Sequence, residues 1–200
     1  MISSVKVSDT RKYSIEHILD NEINGFLIEN FETSSKARGL ETYLRHCAVS
    51  DEVDHLSRTY LIKDHDTGEL AGYFSLRTGL FTKPIFKDSF DSVPAIELAN
   101  FAMDSNYKKS HTGKMQYLGI YVFRHFVIPI VKQVAELVGV NSLYLYALPS
   151  ERLMEHYEKM GFTRLPSDQE KFVQDHVKPV YDVDCIFMYQ VLSLDNDSFS

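Results

Sequence analysis

The first 57 residues are mostly polar, and their apolar residues recur at helical spacing. Ile15, Ile18 and Leu19 form one such set. A second set precedes Ser50-Asp51 and consists of Leu40, Tyr43, Leu44 and Cys47. Because this spacing is typical of amphipathic helices, we expect two or three helices over 1–57. A short strand over Ser4–Val7 is left open.

A β-hairpin is predicted next. Thr59–Lys63 is β-branched and apolar, Asp64–Glu69 is rich in Asp and Gly, and Leu70–Leu76 is apolar again. Two such runs joined by a turn-forming segment are typical of paired antiparallel strands. A loop containing Pro84 and Pro94 is expected to follow the hairpin.

The second half predicts strands that alternate with helices. The expected elements are a strand over 95–103, a polar loop over 104–116, a helix over 118–138 kinked at Pro129, a strand over 142–147, a helix over 151–160 ended by Gly161, and two closing strands over 162–165 and 184–192. An acidic connection over 167–183 joins the closing strands, and 193–200 is expected to be a frayed tail. From residue 59 onward the predicted order is β-β-β-α-β-α-β-β.

Length and composition describe one globular domain covering 1–200. The chain has 200 residues, of which 44% are hydrophobic and 24% charged. A chain of this size can bury a core, and its aromatic content argues against disorder. Two distant cysteines, the absence of a signal-like start and the absence of an 18-residue apolar run predict a cytoplasmic protein without a membrane partner.

The charge is distributed unevenly along the chain. The formal net charge is -7, which argues against a general nucleic-acid binder and predicts no nucleic-acid partner. However, residues 105–135 contain no Asp or Glu and five basic residues: Lys108, Lys109, Lys114, Arg124 and Lys132. This acid-free window indicates an anion site, although chance and a solvated face are alternatives.

Several chemistries are excluded by spacing. His111-Thr-Gly-Lys114 lacks the upstream glycine and the following Ser or Thr of a P-loop. The eight histidines form no HExxH or paired-ligand pattern, so no metal is expected. No Gly-x-Ser-x-Gly nucleophile elbow occurs, which argues against a serine hydrolase.

One segment of the sequence resembles a known protein family. The segment Tyr157-Glu-Lys-Met-Gly161-Phe162 ends a helix and leads into a strand, after a strand-helix-strand unit whose helix begins at Leu118-Gly119. This combination resembles the GNAT superfamily of acyl-coenzyme-A-dependent N-acetyltransferases, over roughly 59–192. The resemblance implies an α/β (α+β) fold: a central mixed, mostly antiparallel sheet flanked by helices, splayed at the strands ending near Met103 and Ala147.

The resemblance also implies acetyl-CoA as cosubstrate. The family's pyrophosphate loop aligns best with Lys114-Met-Gln-Tyr117-Leu118-Gly119, where Tyr117 replaces the usual first glycine. The loop falls in the acid-free window, and cations beside the start of a helix suit a pyrophosphate. The candidate cofactor-binding residues are Phe101, Ala102, Met103, Lys108, Lys114, Tyr117, Leu118, Gly119 and Ser150. The first three would use backbone groups, and Ser150 is more simply a helix N-cap.

Two residues match catalytic positions of the family. Tyr157 corresponds to the tyrosine that protonates the departing thiolate, and an unperturbed phenol and thiol have pKa values near ~10 and ~8.5. A packing role is its alternative. Glu97, four residues before Phe101, corresponds to a glutamate that serves as general base in several relatives. A structural carboxylate is its alternative.

The expected function is transfer of an acetyl group from acetyl-CoA to a primary amine of a small molecule or peptide, by direct attack in a ternary complex. A non-catalytic acyl-CoA sensor or scaffold is the main alternative, and a tRNA-acetylating toxin is a third. The general base, the acceptor and the oligomeric state, including a homodimer, stay open.

Overall fold

A computed structural model describes residues 12–86, 89–111, 117–177 and 184–193. Two compact units make up the chain. The first consists of Met1–Arg77 and Leu98–Val127, and the second of Thr78–Glu97 and Ile128–Ser200. The predicted strand over 4–7 and the tail over 194–200 lie outside the described residues.

The helices and strands have the following bounds: β1 (Tyr13–His17), α1 (Ile23–Glu29), a 3-10 turn (Ser35–Ala37), α2 (Arg38–His46), α3 (Ala48–Val53), β2 (Arg58–Asp64), β3 (Leu70–Phe86), β4 (Ser89–Met103), α4 (Ser105–Ser110), α5 (Leu118–Val122), a π-helical turn (Phe123–Val127), α6 (Ile128–Val138), β5 (Ser142–Ala147), α7 (Glu151–Lys159), β6 (Thr163–Arg164), α8 (Ser167–Val177) and β7 (Ile186–Val191).

Within the described residues the strands form one seven-stranded sheet in the order β1-β2-β3-β4-β5-β7-β6. The β1-β2, β2-β3, β5-β7 and β6-β7 pairs are antiparallel, and β4 is parallel to β5. The parallel register covers Ala95–Glu97 of β4, and β4 continues to Met103. The predicted α/β class, with a mostly antiparallel sheet flanked by helices, is confirmed.

The core of the first unit packs helices α1 to α3 against the sheet. Its buried members are Ile18, Ile28, Phe31, Leu44, Ala48, Leu61, Leu70, Tyr73 and Ala102. Tyr73 is fully buried, and its hydroxyl donates a hydrogen bond to the Leu40 carbonyl at 2.6 Å. A buried phenol needs such an acceptor, so this bond fixes α2 on β3.

The core of the second unit is rich in aromatic rings. Its buried members are Phe81, Val93, Ala95, Tyr144, Leu165, Val173 and Phe187. The Phe187 ring lies 5.2 Å from the Phe81 ring and 5.5 Å from the Tyr144 ring, within the range of favourable aromatic pairs. Val173 brings α8 onto this cluster.

Four predicted segments differ from the structure. The helical spacing of Ile15, Ile18 and Leu19 is misleading, because residues 13–17 form β1, which pairs with β2. The predicted loop around Pro84 and Pro94 is wrong, because β3 extends to Phe86 and β4 begins at Ser89. The connections over 104–116 and 167–183 contain α4 and α8, which periodicity did not reveal.

The predicted long helix is present as α5, the π-helical turn and α6. The π-helical turn ends two residues before Pro129, so a wider turn precedes the proline. Within the described residues this helix is also long and apolar enough to cross a bilayer by length and composition alone, contrary to the expectation from sequence. Half of its most apolar stretch is buried in the protein.

Gly72 of β3 lies so close to the end of β4 that a side chain there would collide with it. A Cβ atom at this position would lie 2.6 Å from the Ala102 carbonyl oxygen and 2.7 Å from Met103 Cε. We expect Gly72→Ala to lower the free energy of unfolding by about 1–3 kcal/mol, because the backbone oxygen cannot move away. Urea denaturation measures the change.

Gly39→Ala is the matched control. No atom lies within 4 Å of a Cβ built at Gly39 in α2, so alanine should be neutral or stabilise by up to about 1 kcal/mol. Equal stability of the two variants would contradict the close approach of Gly72 to β4.

Candidate functional site

The last residues of β4 carry the predicted pantetheine contacts. Ala102 is buried in the core of the first unit, whereas Phe101 and Met103 are half-buried. The Ala102 side chain is therefore structural. The backbone of all three lies in the strand that continues beyond its register with β5.

Helix α4 follows β4 directly and is anchored at its N-terminus. The Asp104 carboxylate accepts hydrogen bonds from the Tyr107 amide at 2.6 Å and from the Glu32 amide at 2.8 Å. The Ser105 amide donates to the Glu32 carbonyl at 2.8 Å. Asp104 is thus an N-cap that also ties α4 to the loop after α1.

A second anchor joins α4 to β2. The Tyr107 hydroxyl donates a hydrogen bond to the buried Asp64 carboxylate, and Lys12 Nζ lies 3.7 Å from the same group. Burial raises the pKa of Asp64, but the bonds from Tyr107 and from the Asp66 amide, together with Lys12, hold that pKa below its usual value. Burial and the bond to Asp64 both raise the pKa of Tyr107, so its hydroxyl stays protonated.

The basic residues of the acid-free window differ in placement. Lys108 and Lys109 are exposed in the last turn of α4, and Arg124 is exposed on the π-helical turn. Lys109 Nζ lies 3.5 Å from Asn106 Oδ1. Lys114 lies outside the described residues.

The start of α5 holds the predicted loop residues. Tyr117 is the N-cap residue and is 62% exposed, whereas Leu118 and Gly119 are buried. The first helical bond runs from the Tyr121 amide to the Tyr117 carbonyl at 2.9 Å. The amides at the start of a helix generally lack an intrahelical acceptor, which is the arrangement that binds anions.

Tyr157 lies in the second unit, near the end of α7. Its side chain is buried, and its ring lies 5.8 Å from the Phe162 ring in an edge-on arrangement. The chain turns back below it through Gly161, whose φ of 95° is readily adopted only by glycine. Burial raises the pKa of Tyr157 to about 12.

This pKa alters the proton transfer expected from sequence. An unperturbed thiol has a pKa near ~8.5, so a phenol at about 12 is a weaker acid than the predicted role assumed. A thiolate formed in the same apolar surroundings would also be desolvated, which raises the pKa of its thiol. The match therefore depends on both groups being buried together.

Glu97 is buried on β4, and Tyr144 of β5 donates a hydrogen bond to its Oε2 at 3.0 Å. Gly79 leaves room for Tyr144, because a Cβ there would lie 2.9 Å from the ring carbons Cε1 and Cζ. A buried, hydrogen-bonded Glu97 fits the general base that the resemblance implies, and it fits a purely structural role equally well.

Ser150 is the N-cap residue of α7 by position, and its side chain makes no capping hydrogen bond. Its carbonyl accepts from the Leu153 and Met154 amides, both at 2.9 Å. The side chain is exposed.

Sequence reasoning missed Tyr107 and Asp64. The polar character of 104–116 suggested a loop, although Asp104 three residues before Tyr107 is a recognisable capping pattern. No local pattern links Asp64 to Tyr107, because 43 positions separate them.

No family model matches this sequence. Solved structures do resemble it. A tyrosine-to-phenylalanine mutant of KacT is 21% identical, with 90% of this chain and 95% of that chain covered and a TM-score of 0.64. AtaTR bound with AcCoA is 19% identical, with 91% and 94% covered and a TM-score of 0.62.

The chain has a GNAT-like fold. A third structure, AtaT complexed with acetyl-methionyl-tRNAfMet, is 18% identical, with 88% and 93% covered and a TM-score of 0.62. The expectation of no nucleic-acid partner conflicts with this neighbour, which binds tRNA. Net charge averages over the whole chain and therefore says little about one basic surface.

The Asp64 anchor predicts how stability depends on pH. Asp64 has a lowered pKa when folded, so its contribution is present above the unfolded value near 3.8 and is lost as pH falls through the folded value. We expect Tyr107→Phe to lower the free energy of unfolding by about 1–3 kcal/mol at pH 7. Urea titrations at pH 7 and pH 3 compare the two proteins.

The difference between wild type and Tyr107→Phe should shrink at pH 3, which lies below the unfolded pKa of Asp64 near 3.8. Tyr60→Phe, which removes a hydroxyl from a half-buried tyrosine of β2, provides the control. A loss of stability in Tyr107→Phe that is the same at both pH values would contradict the ionised Asp64 anchor.

Proposed function

We propose that this protein transfers an acetyl group from acetyl-CoA to an amine. The observation that carries the proposal is the fold, which matches AcCoA-bound AtaTR over 91% of this chain. Because one fold can support several chemistries, the site must be argued as well. The placement of the individual candidate residues therefore supplies the remaining support.

In this proposal the start of α5 and the end of α4 bind the phosphates of coenzyme A. The amides of Leu118 and Gly119 at the start of α5 suit a pyrophosphate oxygen, and Lys108 and Lys109 supply exposed positive charge. Tyr117 carries a side chain where the family has a glycine. Its ring is 62% exposed, which leaves it room to turn away from the phosphate.

The backbone of Phe101–Met103 would pair with the amides of the pantetheine arm, and one of its N–H groups would stabilise the oxyanion of the tetrahedral intermediate. The neutral amine attacks the thioester carbonyl, the C–S bond breaks, and Tyr157 gives its proton to the departing sulfur. The proton that the acylated nitrogen then loses restores the Tyr157 hydroxyl. Glu97 is the candidate acceptor for the proton that the substrate ammonium must lose. Tyr144 holds that carboxylate in one orientation.

Tyr157→Phe tests the general acid. The variant keeps the ring and its packing on Phe162 but removes the transferable proton, so we expect turnover to fall by about one to three orders of magnitude. Acetyl-CoA binding should change little. Release of free thiol measures turnover, and isothermal titration calorimetry measures binding.

Tyr60→Phe serves again as the matched hydroxyl deletion and should keep the wild-type rate. An unchanged rate in Tyr157→Phe would remove this residue from the mechanism. Wild-type protein that binds acetyl-CoA but releases no thiol with any amine would favour the sensor or scaffold instead.

Aminoacyl-tRNA is a second candidate acceptor. It is supported by the tRNA-bound neighbour and by the exposed cations of the acid-free window. Labelled acetyl-CoA should be offered with spermidine, a lysine peptide or charged total tRNA. If tRNA is the acceptor, the pair Lys108→Gln and Lys109→Gln should reduce transfer to tRNA more at 50 mM than at 200 mM salt, because a lost phosphate contact costs most affinity where salt is low.

Transfer to spermidine or peptide alone would leave the small-amine hypothesis in place and remove tRNA. A cytoplasmic location is a further prediction of this proposal, and the oligomeric state, including a homodimer, stays open.

A further inference from the structure

Six large apolar side chains between residues 19 and 56, in the described part of the first unit, are exposed. Phe26 is 73% and Ile23 is 62% exposed on α1, far more than core residues of these types. The full set is Leu19, Ile23, Phe26, Val49, Val53 and Leu56. It comes from two short stretches of the chain, 19–26 and 49–56.

Both stretches lie at one end of the β1-β2 pair. The register ends with His17 opposite Tyr60, and the Ile18 amide extends it by donating to the Thr59 carbonyl at 3.0 Å. Leu19 follows this point along the chain, and Leu56 precedes β2. Continuing the antiparallel register therefore brings the two segments together at this end.

The buried Glu52 carboxylate brings α3 to the same end. Its Oε2 accepts from the Thr59 amide at 2.8 Å, and its Oε1 lies 3.0 Å from His17 Nε2. Val53 follows Glu52 directly and is exposed. The contact holds α3 against the β1-β2 end, and Val53 lies there.

Helix α1 is tied to this end by Asn24. The Asn24 amide donates to the Ile18 carbonyl at 3.2 Å and lies 3.3 Å from the His17 carbonyl. Asn24 and Ile28, four residues apart, form the buried face of α1. Ile23 and Phe26, three residues apart, form a separate exposed face.

The surroundings of these apolar residues are acidic. The segments 13–35 and 47–57 contain eight acidic residues: Glu16, Asp20, Glu22, Glu29, Glu32, Asp51, Glu52 and Asp54. They contain no Lys or Arg, and the nearby Arg58 pairs with the buried Glu52 at 2.6 Å. Glu22, Glu29 and Asp54 are exposed. Acids keep a protein soluble wherever they lie. Here, however, they flank exposed apolar side chains, and such patches mark interaction sites.

We propose that the surface formed by Leu19, Ile23, Phe26, Val49, Val53 and Leu56 binds a cationic amphipathic helix of a partner protein. The apolar stripe of that helix would cover the six side chains, and its Lys and Arg residues would face Glu22, Glu29 and Asp54. The same negative charge repels phosphates, so this surface is unsuited to nucleic acid and to anionic lipid. The inference is independent of the acetyl-transfer proposal.

The experiment uses the full chain and a fluorescein-labelled 18-residue helical peptide of Leu and Lys in an amphipathic pattern. Fluorescence anisotropy at 150 mM salt should show saturable binding. The combined substitutions Ile23→Ser, Phe26→Ser and Val53→Ser should weaken it at least tenfold. Glu22→Gln, Glu29→Gln and Asp54→Asn together should weaken it and flatten its salt dependence, because screening acts only on charge.

The control pair is Leu137→Ser and Val138→Ser, which changes two exposed apolar residues of α6 in the second unit and should leave binding intact. Urea denaturation confirms that each variant folds. Equal weakening by the control pair would overturn the proposal. So would equal binding of a Leu-Glu peptide of the same pattern, or binding to vesicles containing phosphatidylserine.

The remaining test is whether a second copy of the chain covers this apolar surface. Sedimentation equilibrium should show a monomer, or a dimer that Ile23→Ser and Phe26→Ser leave unchanged. A wild-type dimer that these two substitutions dissociate would overturn the proposal in favour of self-association.

Discussion

Burying a carboxylate is costly unless hydrogen bonds replace its water, and four of the buried carboxylates among the described residues meet that condition by joining separate elements. Glu52 is satisfied by β1 and β2, Asp64 by α4, and Asp104 by the loop after α1. Glu97 is satisfied by β5. Apart from the Glu52–Thr59 bond, which spans seven positions, these contacts join residues far apart in sequence. The positions of α3, α4 and β5 therefore depend on hydrogen-bonded carboxylates as well as on apolar packing.

The sequence predicted the elements whose signal is local and missed those that depend on contacts distant in sequence. Alternation and turn residues found the β2-β3 hairpin and β5 because their information is local, and Gly161 marked the end of α7. Strand β1 was missed because it is stabilised by its register with β2 and not by its own pattern. Prolines at 84 and 94 looked like loop markers, although both fall within long strands.

For the candidate site, the family pattern located Tyr157 on the helix where it was expected, and α5 begins at Leu118 as predicted. The pattern carried no information about Tyr107, because its partner Asp64 lies in another element. It also could not indicate how burial moves the pKa of Tyr157 to about 12. Proton affinities depend on tertiary surroundings, which single-sequence periodicity does not describe.

The π-helical turn affects which side of the long helix its buried residues occupy. Its buried residues recur every four positions, in two rows: Leu118, Val122, Phe126 and Ile130, then Phe123, Val127, Val131 and Ala135. In a regular α-helix each four-residue step overshoots one turn by about 40°. The wider turn over Phe123–Val127 takes up part of this drift. Removing one residue there would rotate everything after it by about 100°, so the length of this segment matters as much as its composition.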